Sequence, residues 1–126
     1  MLLYTFNKTV TLNSSGGANV DFDPINGKLI SIQYIKASSD SYEDGVDFTV
    51  TNKRSGEIIW QENNVNASKI VYPNHVTNKP DGSTNPHGAN VTGIYDNFFL
   101  ANDKINIIIT GGGNAKIGNF IIMYGV

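Results

Sequence analysis

The chain contains no cysteine, so neither a disulfide framework nor a thiolate metal site can form. Stability must therefore come from packing or from assembly. Charged residues make up only 16% of the 126 residues, and the net charge is −2. This balance gives no electrostatic footprint for nucleic acid or for an anionic membrane surface, so neither is an expected partner.

Long apolar runs are also missing from the sequence. No stretch approaches the roughly 18 consecutive apolar residues that a membrane-spanning helix needs. The first residues, MLLYTFNKTVTL, lack the basic and apolar regions of a secretion signal. The sequence also shows no convincing helix. It predicts a single soluble domain over residues 1–126 with one core.

The chain does contain a repeated alternation of apolar and polar residues, which is typical of half-buried β-strands. About nine short strands are predicted, over residues 4–12, 18–23, 29–37, 46–50, 57–61, 68–72, 97–101, 104–110 and 116–126. Turn residues at 13–17 and 102–103 are predicted to close hairpins, and residues 24–27 to form a reversal. Trp60 is a predicted core residue. The fold class is therefore all-β, a single antiparallel β-sandwich with jelly-roll-like connections.

One long segment, YPNHVTNKPDGSTNPHGANVTG at residues 72–93, contains both histidines and three of the four prolines. A loop of about twenty residues without secondary structure is uncommon in a compact domain and tends to be functional. Its weak charge and its hydrogen-bonding side chains favour adhesion over catalysis. A partner-contact loop is predicted at about 74–92, with the candidate residues Asn74, His75, Val76, Thr77, Asn78, Lys79, Asp81, Asn85, His87 and Asn90.

Several patterns resemble chemical sites but have simpler explanations. His75, Asp81 and His87 fit a metal site only if the loop folds back, and a structural zinc site normally needs four ligands. Neither histidine lies in a nucleophile motif. The carboxylates at 21, 23, 43, 44 and 47 are interpreted as solvated strand and turn residues, and the glycines at 111–113 as a hairpin turn. No catalytic residue, metal or cofactor is predicted, so the chain is not expected to be an enzyme.

An aromatic platform for sugar is the main alternative to a contact surface. Trp60, Tyr72 and Tyr95 are the candidate rings, because lectin-type sandwiches use exposed aromatic side chains. A position in the core or in a subunit interface is the preferred interpretation of these rings. Excess apolar residues at 105–109 and 120–124 further predict self-association.

The order of features along the chain resembles a known family. These features are NKRSGEIIW at 52–60, IVYP at 70–73, Asp81-Gly82 in the long loop, and FFLANDKINIIITGGGNAKIGNFIIMYG at 98–125. Together they are similar to small accessory virion proteins encoded beside the major capsid gene in tailed bacteriophages.

This resemblance implies a β-sandwich auxiliary or decoration protein that is assembled in the host cytoplasm. It would sit on the outside of the assembled head, often as a homotrimer, and brace neighbouring subunits of the major capsid protein. The resemblance carries over no catalytic residue. A carbohydrate-binding or receptor-binding module, including a head-fibre or tail component, remains the alternative.

Overall fold

The computed structural model describes residues 1–76 and 95–126. Within these ranges the chain is built of β-strands without a helix, so no helix there could span a membrane. The strands are β1 (Leu3–Thr11), β2 (Ala18–Asp21), β3 (Ile25–Lys36), β4 (Val46–Asn52), β5 (Ile58–Val65), β6 (Lys69–Val71), β7 (His75–Val76), β8 (Tyr95–Asp96), β9 (Phe99–Asp103), β10 (Ile105–Thr110) and β11 (Ile117–Gly125).

Nine of these strands form two antiparallel sheets. Sheet A has the order β1-β11-β3-β6, with β9 also paired to β3, and sheet B has the order β2-β10-β4-β5. The remaining strands, β7 and β8, pair only with each other. The predicted all-β fold with about nine sheet strands is confirmed. These strand orders do not by themselves establish the jelly-roll connectivity that the sequence analysis expects.

The core lies between the two sheets and is rich in aromatic side chains. Tyr34 of sheet A contacts Phe48 of sheet B with ring centroids 4.9 Å apart, and Phe120 of sheet A contacts Phe48 at 5.3 Å. Trp60 is 8% exposed and its ring meets Phe48 edge-on at 5.7 Å. The sheets are therefore packed face to face, and the predicted core position of Trp60 is confirmed.

Tyr42 is a core residue in the connection between β3 and β4, outside every strand predicted from the sequence. It is 2% exposed, and its ring stacks on Tyr34 at 5.7 Å. Its hydroxyl donates a 2.8 Å hydrogen bond to the carbonyl of Val10. Burial raises the pKa of Tyr42 above its usual range, so this hydroxyl stays protonated as a donor.

The predicted hairpins at 13–17 and 102–103 are wrong. Strand β2 pairs with β10 and not with β1, while β9 pairs with β3 and not with β10. The glycine-rich segment at 111–113 also joins strands of different sheets. Alternation reports which face of a strand is buried, but it does not report which strand lies beside it. Strands β4 and β5, joined by the turn at 53–57, do pair with each other as a hairpin.

The predicted reversal at 24–27 is also wrong, because Ile25, Asn26 and Gly27 belong to β3. Gly27 has a φ of 140° and a Cβ there would collide with the carbonyl oxygen of Gly125. A glycine is therefore needed inside β3, because another backbone approaches it closely. From the sequence alone, this glycine is interpreted as part of a turn.

Ala115 provides a test of backbone strain in the connection between the sheets. It is exposed and has a φ of 55°, a left-handed conformation that disfavours residues with a Cβ. We expect Ala115→Gly to raise the free energy of unfolding by about 0.5–1 kcal/mol. Urea denaturation would measure this gain. A loss of stability would show that the entropy of the added glycine outweighs the relieved strain.

Candidate functional site

The described part of the predicted contact loop consists of its first three residues. Asn74 is exposed, and His75 is half-buried with its ring stacked on Phe98 at 4.7 Å. Strand β7 holds His75 opposite Asp96 and Val76 opposite Tyr95. The candidate residues Thr77, Asn78, Lys79, Asp81, Asn85, His87 and Asn90 lie outside the described residues.

The predicted start of the loop needs a correction. The sequence analysis treats residues 72–93 as lacking secondary structure, yet β7 begins at His75 and pairs with β8. Pro73, just before it, is buried. A short strand pair thus closes the base of the segment, and the stacking of His75 on the buried ring of Phe98 holds this base against the sandwich.

Asp21, one of the carboxylates interpreted from the sequence as solvated, is half-buried. It accepts hydrogen bonds from Lys53 at 2.5 Å and from the side chain of Asn106 at 2.8 Å. These two donors hold the pKa of Asp21 below its usual value, with Lys53 the larger cause. A general acid needs a raised pKa, so this environment does not suit acid catalysis.

The carboxylates near residues 40–47 make structural contacts at the other end of the sandwich. Asp44 forms a 2.9 Å ion pair with Lys36 and is 72% exposed. Asp47 accepts a 2.9 Å hydrogen bond from the backbone N–H of Asn64. Among the described residues, no group of three or more potential ligands could hold a metal ion.

The proposed aromatic platform is not assembled with Trp60, since that ring is buried between the sheets. Tyr72 is 65% exposed. The side chain of Tyr95 lies outside the described part of the structure. A sugar surface that depends on Trp60 is therefore inconsistent with this packing.

A group of exposed apolar side chains lies where the ends of β1 and β11 meet β3 and β9. Here Met1, Leu2, Phe99 and Val126 are each at least 65% exposed, and we call them the apolar end surface. Leu2 and Val126 exchange backbone hydrogen bonds of 3.0 and 2.9 Å. A groove of about 420 Å³ runs between Met1, Phe99 and Val126.

The sequence analysis missed this surface. It assigned the apolar excess to residues 105–109 and 120–124, where one face of each strand is buried in the core and the other carries the exposed Ile108 and the half-buried Ile121 and Met123. Consecutive apolar residues at the start, MLLY, and at Phe98-Phe99 could have indicated this surface. Because successive side chains of a strand point to opposite faces, only one of two neighbouring apolar residues can enter the core.

Comparison with protein families finds no family model that matches the chain, and comparison with curated proteins finds no significant match.

Proposed function

We propose that this protein is a structural component of a bacteriophage virion, an auxiliary or decoration protein that binds the outside of the assembled head. The observation that carries the proposal is the apolar end surface, in which the exposed side chains of Met1, Phe99 and Val126 line one groove. Exposed apolar patches of this kind mark interaction sites on soluble proteins. The resemblance described above supplies the expected partner, the major capsid protein, and the expected homotrimeric state.

The titratable groups of the described chain also support a contact role. Asp21 and Asp103 are held ionised by neighbouring cations, which makes them structural acceptors of hydrogen bonds. His75 packs flat on the ring of Phe98. Within the described residues, no hydrogen bond joins its imidazole to a hydroxyl group that could act as a nucleophile.

We expect a Leu2→Ser and Phe99→Ser double variant to lose binding to purified heads that lack the protein. Both side chains are 65% exposed, so the substitutions remove contact area without emptying the core. The measurement is the number of copies bound per major capsid subunit, obtained by quantitative mass spectrometry of washed particles.

Ile58→Ser is the matched control, because Ile58 is 54% exposed on the edge strand of sheet B and lies outside the apolar end surface. The control should bind heads like the wild type. Equal occupancy by the double variant would reject the apolar end surface as the contact. Failure of the wild type to bind any head, or its absence from purified virions, would reject the virion function itself.

A further inference from the structure

Strand β1 is an unprotected edge of sheet A in the described structure. It pairs with β11 on one side over its whole length, from Leu3 opposite Gly125 to Thr11 opposite Ile117, without a register shift. On its other side no described residue forms a strand pair with it. An edge of this kind offers a row of N–H and C=O groups to another strand.

The hydrogen-bonding phase identifies which residues face outward. Leu2 and Val126 exchange both backbone bonds, and the N–H of Leu12 donates to the carbonyl of Lys116. Even-numbered residues of β1 are therefore bonded to β11, and antiparallel alternation turns the odd-numbered backbone groups toward the free edge. These outward-facing residues are Leu3, Thr5, Asn7, Thr9 and Thr11.

The other described edges carry protections that β1 lacks. Strand β5 has two register shifts against β4, and β9 has one against β3. Strand β2 has only four residues and β6 only three. Strand β1 has nine residues, with neither proline nor an irregularity. Its one charge, Lys8, bends toward sheet B and donates to the carbonyl of Asp21 at 2.7 Å.

We propose that β1 pairs with β1 of a second copy, antiparallel about a two-fold axis at Asn7. This register bonds Asn7 to Asn7 of the other copy, Thr5 to Thr9 and Leu3 to Thr11, so the whole strand overlaps with itself and sheet A becomes continuous between copies. Threonine pairs across strands, such as Thr5 with Thr9 here, are favourable.

The charge pattern of β1 favours this register over the neighbouring one. With the axis at Asn7, Lys8 of one copy faces Phe6 of the other, so no like charges oppose each other. Moving the axis to Lys8 would place two lysines directly opposite, which is unfavourable. Copies joined in this way also cover the partly exposed ladder of Tyr4, Tyr124 and Phe6, whose neighbouring centroids are 5.5 Å apart.

The absence of cysteine gives a direct test. Asn7→Cys places one thiol on the axis, where hydrogen-bonded antiparallel partners have Cα atoms about 5.5 Å apart, within disulfide range. We expect mild oxidation to convert this variant into a disulfide-linked dimer at least about tenfold faster than the control Asn63→Cys. Asn63 is equally an exposed asparagine on an edge strand, but of sheet B. Equal rates would overturn the proposal.

A second variant tests the contact without a covalent bond. Sedimentation equilibrium at about 100 μM should show two chains for the wild type and for Asn63→Lys, but one for Asn7→Lys, because two lysines then meet at the axis. Circular dichroism would verify that each variant is folded. The two-fold contact gives a dimer in place of the homotrimer that the resemblance implies. A wild type that sediments as one chain or as three, or an unchanged mass for Asn7→Lys, would overturn it. Head binding is measured in a separate experiment, so the virion function and the β1–β1 contact can each be rejected without the other.

Discussion

Trp60→Ala is expected to lower the free energy of unfolding by about 3–5 kcal/mol, because it removes buried aromatic surface and leaves a cavity between the sheets. Trp60 is 8% exposed, pairs with Val50 across β4 and β5, and meets the ring of Phe48. Chemical denaturation followed by circular dichroism would measure the loss. Tyrosine fluorescence can serve as a second probe, since the variant has lost its only tryptophan.

Tyr72→Ala is the matched control for this prediction. Tyr72 is 65% exposed, so its replacement is expected to change the free energy of unfolding by less than about 0.5 kcal/mol. A loss below about 1 kcal/mol for Trp60→Ala would place Trp60 at the surface and restore the aromatic sugar platform as a hypothesis.

The strands and their buried faces could be predicted from the sequence because period-two alternation is a local property. Val46, Phe48 and Val50 alternate with polar residues, and the structure buries all three. The pairing of strands is not local. The segment at 13–17 has the composition of a hairpin turn, yet Asn13 accepts hydrogen bonds from Ser15 and Gly17 while the chain passes to the other sheet.

The contact surfaces were harder to predict for the same reason. Phe99 is exposed and Phe98 is buried, although both belong to one apolar run. The free edge of β1 depends on sheet order, which only the assembled fold provides. The loop predicted at 74–92 lies mostly outside the described residues, and the structure adds that His75 near its start stacks on the buried ring of Phe98.

Asp103 shows how a residue assigned to a turn by its sequence can be a buried structural acceptor. Its side chain is 1% exposed at the point where β9 of sheet A continues into β10 of sheet B. It accepts hydrogen bonds from Arg54 at 2.5 and 3.2 Å and from the backbone N–H of Ala101 at 3.1 Å. Arg54 lies in the turn between β4 and β5, so this ion pair joins the two connections.

The pKa of Asp103 predicts a pH dependence of stability with a definite sign. The hydrogen bond from Arg54 is the largest cause that lowers this pKa from 3.8 to about 2 in the folded chain. The folded state therefore binds the proton less readily than the unfolded state. The stabilisation, about 2 kcal/mol, is fully present above the unfolded pKa and is lost as the pH falls from about 4 to about 2.

Asp103→Asn is expected to lower the free energy of unfolding by about 2–3 kcal/mol at pH 7. The substitution replaces the carboxylate with a neutral amide, which cannot balance the positive charge of Arg54. The difference between wild type and variant should shrink between pH 4 and pH 2, as the wild-type carboxylate becomes protonated. Urea denaturation across this range would measure both curves. Asp44→Asn is the matched control, since that carboxylate is 72% exposed and its ion pair with Lys36 is screened by solvent. A difference that stays constant from pH 6 to pH 2 would show that the charge of Asp103 does not stabilise the fold, and that the hydrogen bond it accepts from the N–H of Ala101 accounts for its burial.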